Sequence, residues 1–129
     1  MLQRNVMDPA ELRRRTKKFA VDTIRFAKRL PHDRVNNRIA GQLTDSSTSV
    51  AAAYRAACRA RSRADFIYKL GNAIEEADES ALWLEILTEA EITPASQTDP
   101  LWKEADELVR ILVRSRETAR ANQKSEKRK

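Results

Sequence analysis

The chain has 129 residues, a formal charge of +6 from 25 lysines and arginines against 19 aspartates and glutamates, 41% apolar residues, two glycines, four prolines, one histidine and one cysteine. This length suits one domain with one core, the apolar fraction excludes a disordered polymer, and two glycines are too few for an all-β fold that turns about every ten residues. A lone cysteine excludes an intramolecular disulfide and the longest apolar run, Val50 to Tyr54, is five residues, so the expectation is a cytoplasmic protein with no membrane span and no secretory segment.

Asp8, Pro9 and Glu11 combine an N-cap, a first-turn proline and a capping carboxylate. The first helix is therefore expected over 9–30, with Leu12, Thr16, Phe19, Thr23, Phe26 and Leu30 as its apolar stripe and Pro31 as its stop. Asp33 caps a second expected helix, 33–61, in which Val35, Ile39, Leu43, Ser46, Val50, Ala53 and Ala57 keep helical spacing. Its Thr44 to Ser49 stretch is polar enough to make a loop the competing reading there, because these side chains compete for backbone hydrogen bonds. Ser62 and Asp65 form another capping pair and open a third helix, 63–91, with Phe66, Ile67, Leu70, Ala73, Ile74, Ala77, Ala81, Leu84 and Thr88 on one face. Asp99 and Pro100 repeat the cap and proline, so a fourth helix is expected over 100–121, followed by a basic disordered tail, 122–129. Four helices on short links predict an all-α, antiparallel up-and-down four-helix bundle, with residues 1–121 as its single domain. Gly41 and Gly71 fall inside helices, where each costs on the order of 1 kcal/mol against alanine. Either the helices tolerate them or a neighbouring helix crosses closely at each.

Resolved along the chain, the charge is +10 over residues 1–63, −10 over 64–109 and +6 over 110–129. Basic and acidic helices packed side by side neutralise each other, and the faces not used in packing stay open to an anionic partner. The candidate nucleic-acid-binding residues are the rows Arg14, Lys18, Arg25 and Arg29 on the first helix and Arg55, Arg59 and Arg63 after it, since such rows can track phosphates. No helix-turn-helix, zinc-finger or RNP-like pattern accompanies them, so recognition would follow shape and charge.

Two helices carry apolar surface beyond one core stripe. Tyr68, Leu82, Trp83 and Ile86 project from the third helix away from its core set, and Tyr54 and Cys58 end a small-residue line on the second. These six are the candidate oligomer interface, and a symmetric homo-oligomer is the common way to cover such faces.

Enzymatic chemistry finds no support in the motifs. Glu75, Glu76 and Glu79 share a stretch of helix but lack the Glu-x-x-His partners of a di-metal bundle, so no metal site or cofactor is expected. Arg25 and His32 meet the loose Arg-to-His spacing of helical ribonucleases of the HEPN type, with Pro31 interrupting it. Cys58 has no histidine or second cysteine beside it and reads as a packed thiol.

The run Ala53 to Ile67, with Lys69 and Leu70, Glu75 to Glu79, and Trp83 to Glu85, resembles the four helix bundle protein family. That family includes proteins encoded in intervening sequences of bacterial 23S ribosomal RNA genes and is similar to the accessory variability proteins of diversity-generating retroelements. The resemblance covers about residues 12 to 115 and is most specific at Ser62, Arg63, Asp65, Phe66 and Ile67 and at Trp83, Leu84 and Glu85. It implies a homopentamer of up-and-down bundles, without catalytic residues, and for the retroelement members a basic surface that engages RNA and a reverse transcriptase. The second helix departs from the family pattern: Ser49 to Arg55 lacks the asparagine and the acidic residue common there. The sequence thus points to a non-enzymatic, homo-oligomeric accessory or scaffold protein that binds RNA or an RNA-handling protein. The alternatives are a ribonuclease centred on Arg25 and His32 and a purely structural protein-interaction module.

Overall fold

In the computed structural model, which describes residues 7–128, a side chain caps each of the first three helices. The Asp8 carboxylate accepts from the Glu11 amide at 3.3 Å and opens α1 (Pro9–Lys28). Asp33 accepts from the Asn36 amide at 2.8 Å ahead of α2 (Arg34–Cys58), and the Ser62 hydroxyl accepts from the Asp65 amide at 3.0 Å ahead of α3 (Arg63–Glu89). Each cap of this kind is worth about 1 kcal/mol. The last helix is α4 (Ala95–Arg128), and the described residues contain no strand. Residues 1–6 of the expected domain and Lys129 of the expected tail lie outside the described part.

The polar stretch of α2 stays helical because its hydroxyls find acceptors within the helix. Thr44 donates to the Ala40 carbonyl at 2.7 Å, Ser46 to Leu43 at 3.2 Å and Thr48 to Thr44 at 2.8 Å, so the backbone ladder survives. Ser46 and Ser47 are also buried, and Ser80 of α3 donates to the Ser46 hydroxyl at 2.9 Å, which closes α2 on α3 at small side chains.

Two boundaries differ from the sequence expectation. α4 begins at Ala95, so Pro100 lies inside it and Asp99 is not its cap. A tertiary contact outweighs the local signature: the Thr98 hydroxyl lies 2.6 Å from that of Thr88 and fastens the first turn of α4 to α3. At its other end α4 continues to Arg128 where a tail was expected from residue 122. Ala119, Arg120, Ala121, Gln123, Lys124 and Glu126 are strong helix formers with no glycine or proline among them, and Glu126 pairs with Arg63 at the start of α3. The α3–α4 link turns on Glu91 at φ 59°, with the Glu91 amide donating to the Thr88 carbonyl and the Ile92 amide to Leu87. This is a Schellman closure that usually employs glycine.

The helices form an antiparallel up-and-down bundle. α3 packs broadly on α2 and on α4, α1 packs on α2, and the α1–α4 seam is the narrowest. One core cluster, with Leu12, Phe19, Val50, Tyr54, Leu70, Ala77, Leu108 and Leu112, fills the body of the bundle, and a second, with Phe26, Leu30, Leu43, Leu84 and Leu87, fills the end near the α1–α2 and α3–α4 turns. Full burial of each of these leucines and phenylalanines contributes roughly 1.5–3 kcal/mol.

Of the expected α2 stripe, Leu43, Ser46, Val50 and Ala57 are buried, and Val35, Ile39 and Ala53 are not. Asn36, Leu43, Ser47, Val50, Tyr54 and Ala57 face inward, while Val35 is 62% exposed. Tyr54, at 3% exposure, is therefore core and not part of an oligomer face. Alanine and serine on both sides of α2 leave its phase ambiguous in the sequence, and burial of the large Tyr54 ring settles it. The glycines do not mark close crossings. A Cβ at Gly41 would meet nothing within 4 Å, and one at Gly71 would meet only an Arg116 guanidinium nitrogen at 3.9 Å.

Candidate nucleic-acid interface

Because α1 and α2 are antiparallel, the first turns of α1 lie beside the last turns of α2. There Ala10, Arg13, Arg14 and Lys17 of α1 and Ala51, Ala52 and Arg55 of α2 enclose an open cleft of about 420 Å³. The alanines floor it, since methyl side chains leave room between the helices, and the four cations wall it. On α1, Lys17 follows Arg13 by four residues and Arg14 by three, so it lies one turn from both and the three share a face.

Some cations of the chain are held in ion pairs, and those of the cleft belong with Arg25, Arg29, Arg34 and Arg38 among the ones that are not. Arg15 forms a two-point bond with Glu104 of α4 at 2.7 and 2.8 Å, which raises the arginine pKa against the smaller opposing effect of its burial. Lys18 pairs with Asp22, Lys69 with Asp65, Arg110 with Asp106 and Arg63 with Glu126. Among the described residues none of Arg13, Arg14, Lys17 and Arg55 is in an ion pair, and all four are exposed. An uncompensated set of charges is what draws phosphates and releases their counterions.

Of the residues singled out from the sequence, Arg14 and Arg55 come together in this cleft. Lys18 follows on α1 but is neutralised by Asp22. Arg25 and Arg29 lie at the far end of α1, where Arg29 donates to the Arg25 carbonyl at 3.1 Å. Arg59 is the exposed C-cap residue of α2, and Arg63 is drawn to α4 by Glu126. Arg13 and Lys17 were not among them. The signal that finds them is the pair of alanines, Ala51 and Ala52, facing α1, which only the pairing of the two helices reveals.

The apolar candidates are divided. Tyr68 and Leu82 are 69% and 48% exposed, Trp83 and Ile86 are half-buried, and Cys58 is half-buried against the main core. Trp83 also lines a groove of about 290 Å³ with Arg34, Val35, Arg38, Ile39 and Gln42 of α2, so Val35 and Ile39 belong to this apolar face.

Among the described residues no group of three or more His, Cys, Asp or Glu side chains is placed to hold a metal ion. The Glu76 carboxyl is pushed up by burial first and then by Glu79, Glu75 and Asp45. Burial, with a hydrogen bond to Cys58, pushes the Tyr54 phenol up. Arg25, in the last turn of α1, and His32, in the α1–α2 turn, are both exposed. No helix among the described residues is long and apolar enough to cross a membrane.

Residues 10–114 match the family described as 23S rRNA-intervening sequence protein. The fold is similar to the crystal structure of a protein with unknown function from the S23 ribosomal protein family of Bacteroides thetaiotaomicron, with a TM-score of 0.77 and 31% identity over 86% of this chain and 99% of that one. No curated protein matches.

Proposed function

The chain belongs to the 23S rRNA-intervening sequence protein family, and from that premise we propose that it is a non-enzymatic, homo-oligomeric accessory or scaffold protein of the cytoplasm that binds RNA. The observation that carries this reading is the convergence of four cations free of ion pairs, Arg13, Arg14 and Lys17 of α1 and Arg55 of α2, on one cleft. An RNA-handling protein such as a reverse transcriptase is a partner that would share the same RNA. Self-association is supported by the exposed Val35 beside the half-buried Trp83 and by the exposed Leu82 and Tyr68 elsewhere on α3, and a pentamer is the assembly that the family resemblance implies.

Electrophoretic retardation of a labelled RNA at low salt tests the reading, with loss of the complex at high salt as the expected companion result. Intact RNA after incubation with the wild-type chain is expected. Cleavage abolished by His32→Ala would replace the proposal with a ribonuclease centred on Arg25 and His32. Normal assembly with no RNA retained would leave a protein-interaction module.

A further inference from the structure

We infer that the α1–α2 cleft grips the sugar-phosphate backbone of base-paired RNA, holding one strand between its cationic walls and leaving the bases outside. The inference rests on the RNA-binding reading above and names the part of the RNA that the site takes.

The chemistry of the lining restricts what it can hold. Every polar side chain that lines the cleft is a cation, and the remaining lining residues are Ala10, Ala51 and Ala52. Arginine and lysine on opposing walls suit phosphates, arginine by paired donors and lysine as a point charge. Alanine methyls accept the ribose edge by contact and offer no hydrogen bond. No asparagine, glutamine, serine or carboxylate is present to pair with the edge of a base.

No aromatic ring is available for stacking in the cleft either. Phe19, Phe26 and Tyr54 are buried, Phe66 packs on the core from the adjoining cavity, Tyr68 stands on α3, and Trp83 and Trp102 pack toward the opposite end of the bundle. Binders of unpaired strands derive about 1–3 kcal/mol per base from such rings. A site without them gains nothing by separating bases, so the bases keep their partner strand. Duplex RNA, which proteins recognise through backbone and shape, is the ligand this surface fits.

Arg13 also lines the adjoining cavity of about 400 Å³ with Arg63, but Arg63 is paired with Glu126, so the unpaired cations end at Arg13 on this side.

The test titrates a fluorescein-labelled RNA hairpin, a hairpin of shuffled sequence and an unstructured strand of the same length with the full chain, over a range of salt. The wild type is expected to bind both hairpins alike and the unpaired strand no more tightly. Arg13→Gln with Lys17→Gln is expected to weaken both hairpins equally and to lower the salt slope by about two, one for each lost phosphate contact. Arg25→Gln with Arg29→Gln, at the other end of α1, is expected to move the slope less. All four side chains are exposed, so circular dichroism of the variants should match the wild type. An unchanged slope in the cleft variant, with wild-type binding intact, overturns the cleft and leaves the RNA-binding reading standing. A preference for the unpaired strand beyond about tenfold shows that bases are held and overturns the backbone assignment. A wild type that retains none of the three RNAs overturns both readings.

Discussion

Helix α2 borders two grooves of opposite character. Toward its C-terminal end it meets α1 across a cleft of unpaired cations and alanine, and toward its N-terminal end it meets α3 across a groove of Val35, Ile39 and Trp83 with Arg34, Arg38 and Gln42 at its sides. The first is lined by cations and methyl groups alone and is complementary to an anion. The second loses apolar surface to water unless another apolar surface covers it, and its arginines leave room for an acidic counterpart. One helix thus borders a cationic cleft and an apolar groove at different heights; under the function proposed above, the first would take the nucleic acid and the second a neighbouring protein.

The strongest way to break this division is charge reversal in the cleft. Arg13→Glu, Arg14→Glu and Arg55→Glu together are expected to weaken RNA retention on the order of 100-fold, with the light-scattering mass unchanged. A changed mass would mean that the cleft also holds protein. Trp83→Glu is expected to act in the opposite sense, lowering the mass while helix content stays constant. A monomeric wild type would remove the protein site altogether.

Gly41→Ala is expected to raise stability by up to about 1 kcal/mol in thermal or denaturant unfolding, since the new methyl meets nothing in the chain. A loss of mass on the same substitution would place a second copy against this part of α2. The smallest effect belongs to Glu76, which with Asp45 and Glu79 forms the acidic counterpart of the cleft on the α2–α3 side. Its folded carboxyl binds a proton more readily than the unfolded one, so its destabilising effect fades as the pH falls from neutral toward the ordinary glutamate value of 4.5. Glu76→Gln is expected to add under about 0.5 kcal/mol at neutral pH and to flatten that trend in melting temperature. Asp65, lowered mainly by its hydrogen bond to Lys69, contributes in the opposite sense and loses its contribution as the pH falls.

The sequence discloses the helices through their caps, because Asp8, Asp33 and Ser62 act on amides three residues away. It misplaces the start of α4, which is governed by a contact between Thr88 and Thr98 on different helices. The inward place of Asn36, Ser47 and Tyr54 on α2 is likewise hidden, since alanine and serine occupy several of its faces and only packing distinguishes them. At the site, Arg14 and Arg55 are legible as cations, but not that they face each other. Rows at helical spacing describe one helix at a time, and a cleft belongs to two. Nor does spacing reveal which cations are already satisfied, as the pairing of Arg63 with Glu126 across most of α3 and α4 illustrates.

The narrow α1–α4 seam has a consequence for motion. The partly exposed Arg15–Glu104 pair bridges it, and α1 otherwise rests chiefly on α2. In the hierarchy of local opening, the helix with the least interface is the first to come away, so the amides of α1 are expected to exchange with solvent ahead of those of α3. That same helix supplies three of the four cleft cations. A strand of nucleic acid laid across the cleft ties α1 to α2 and, by linkage, slows this opening. The part of the bundle that breathes most easily is then the part that its ligand would hold shut.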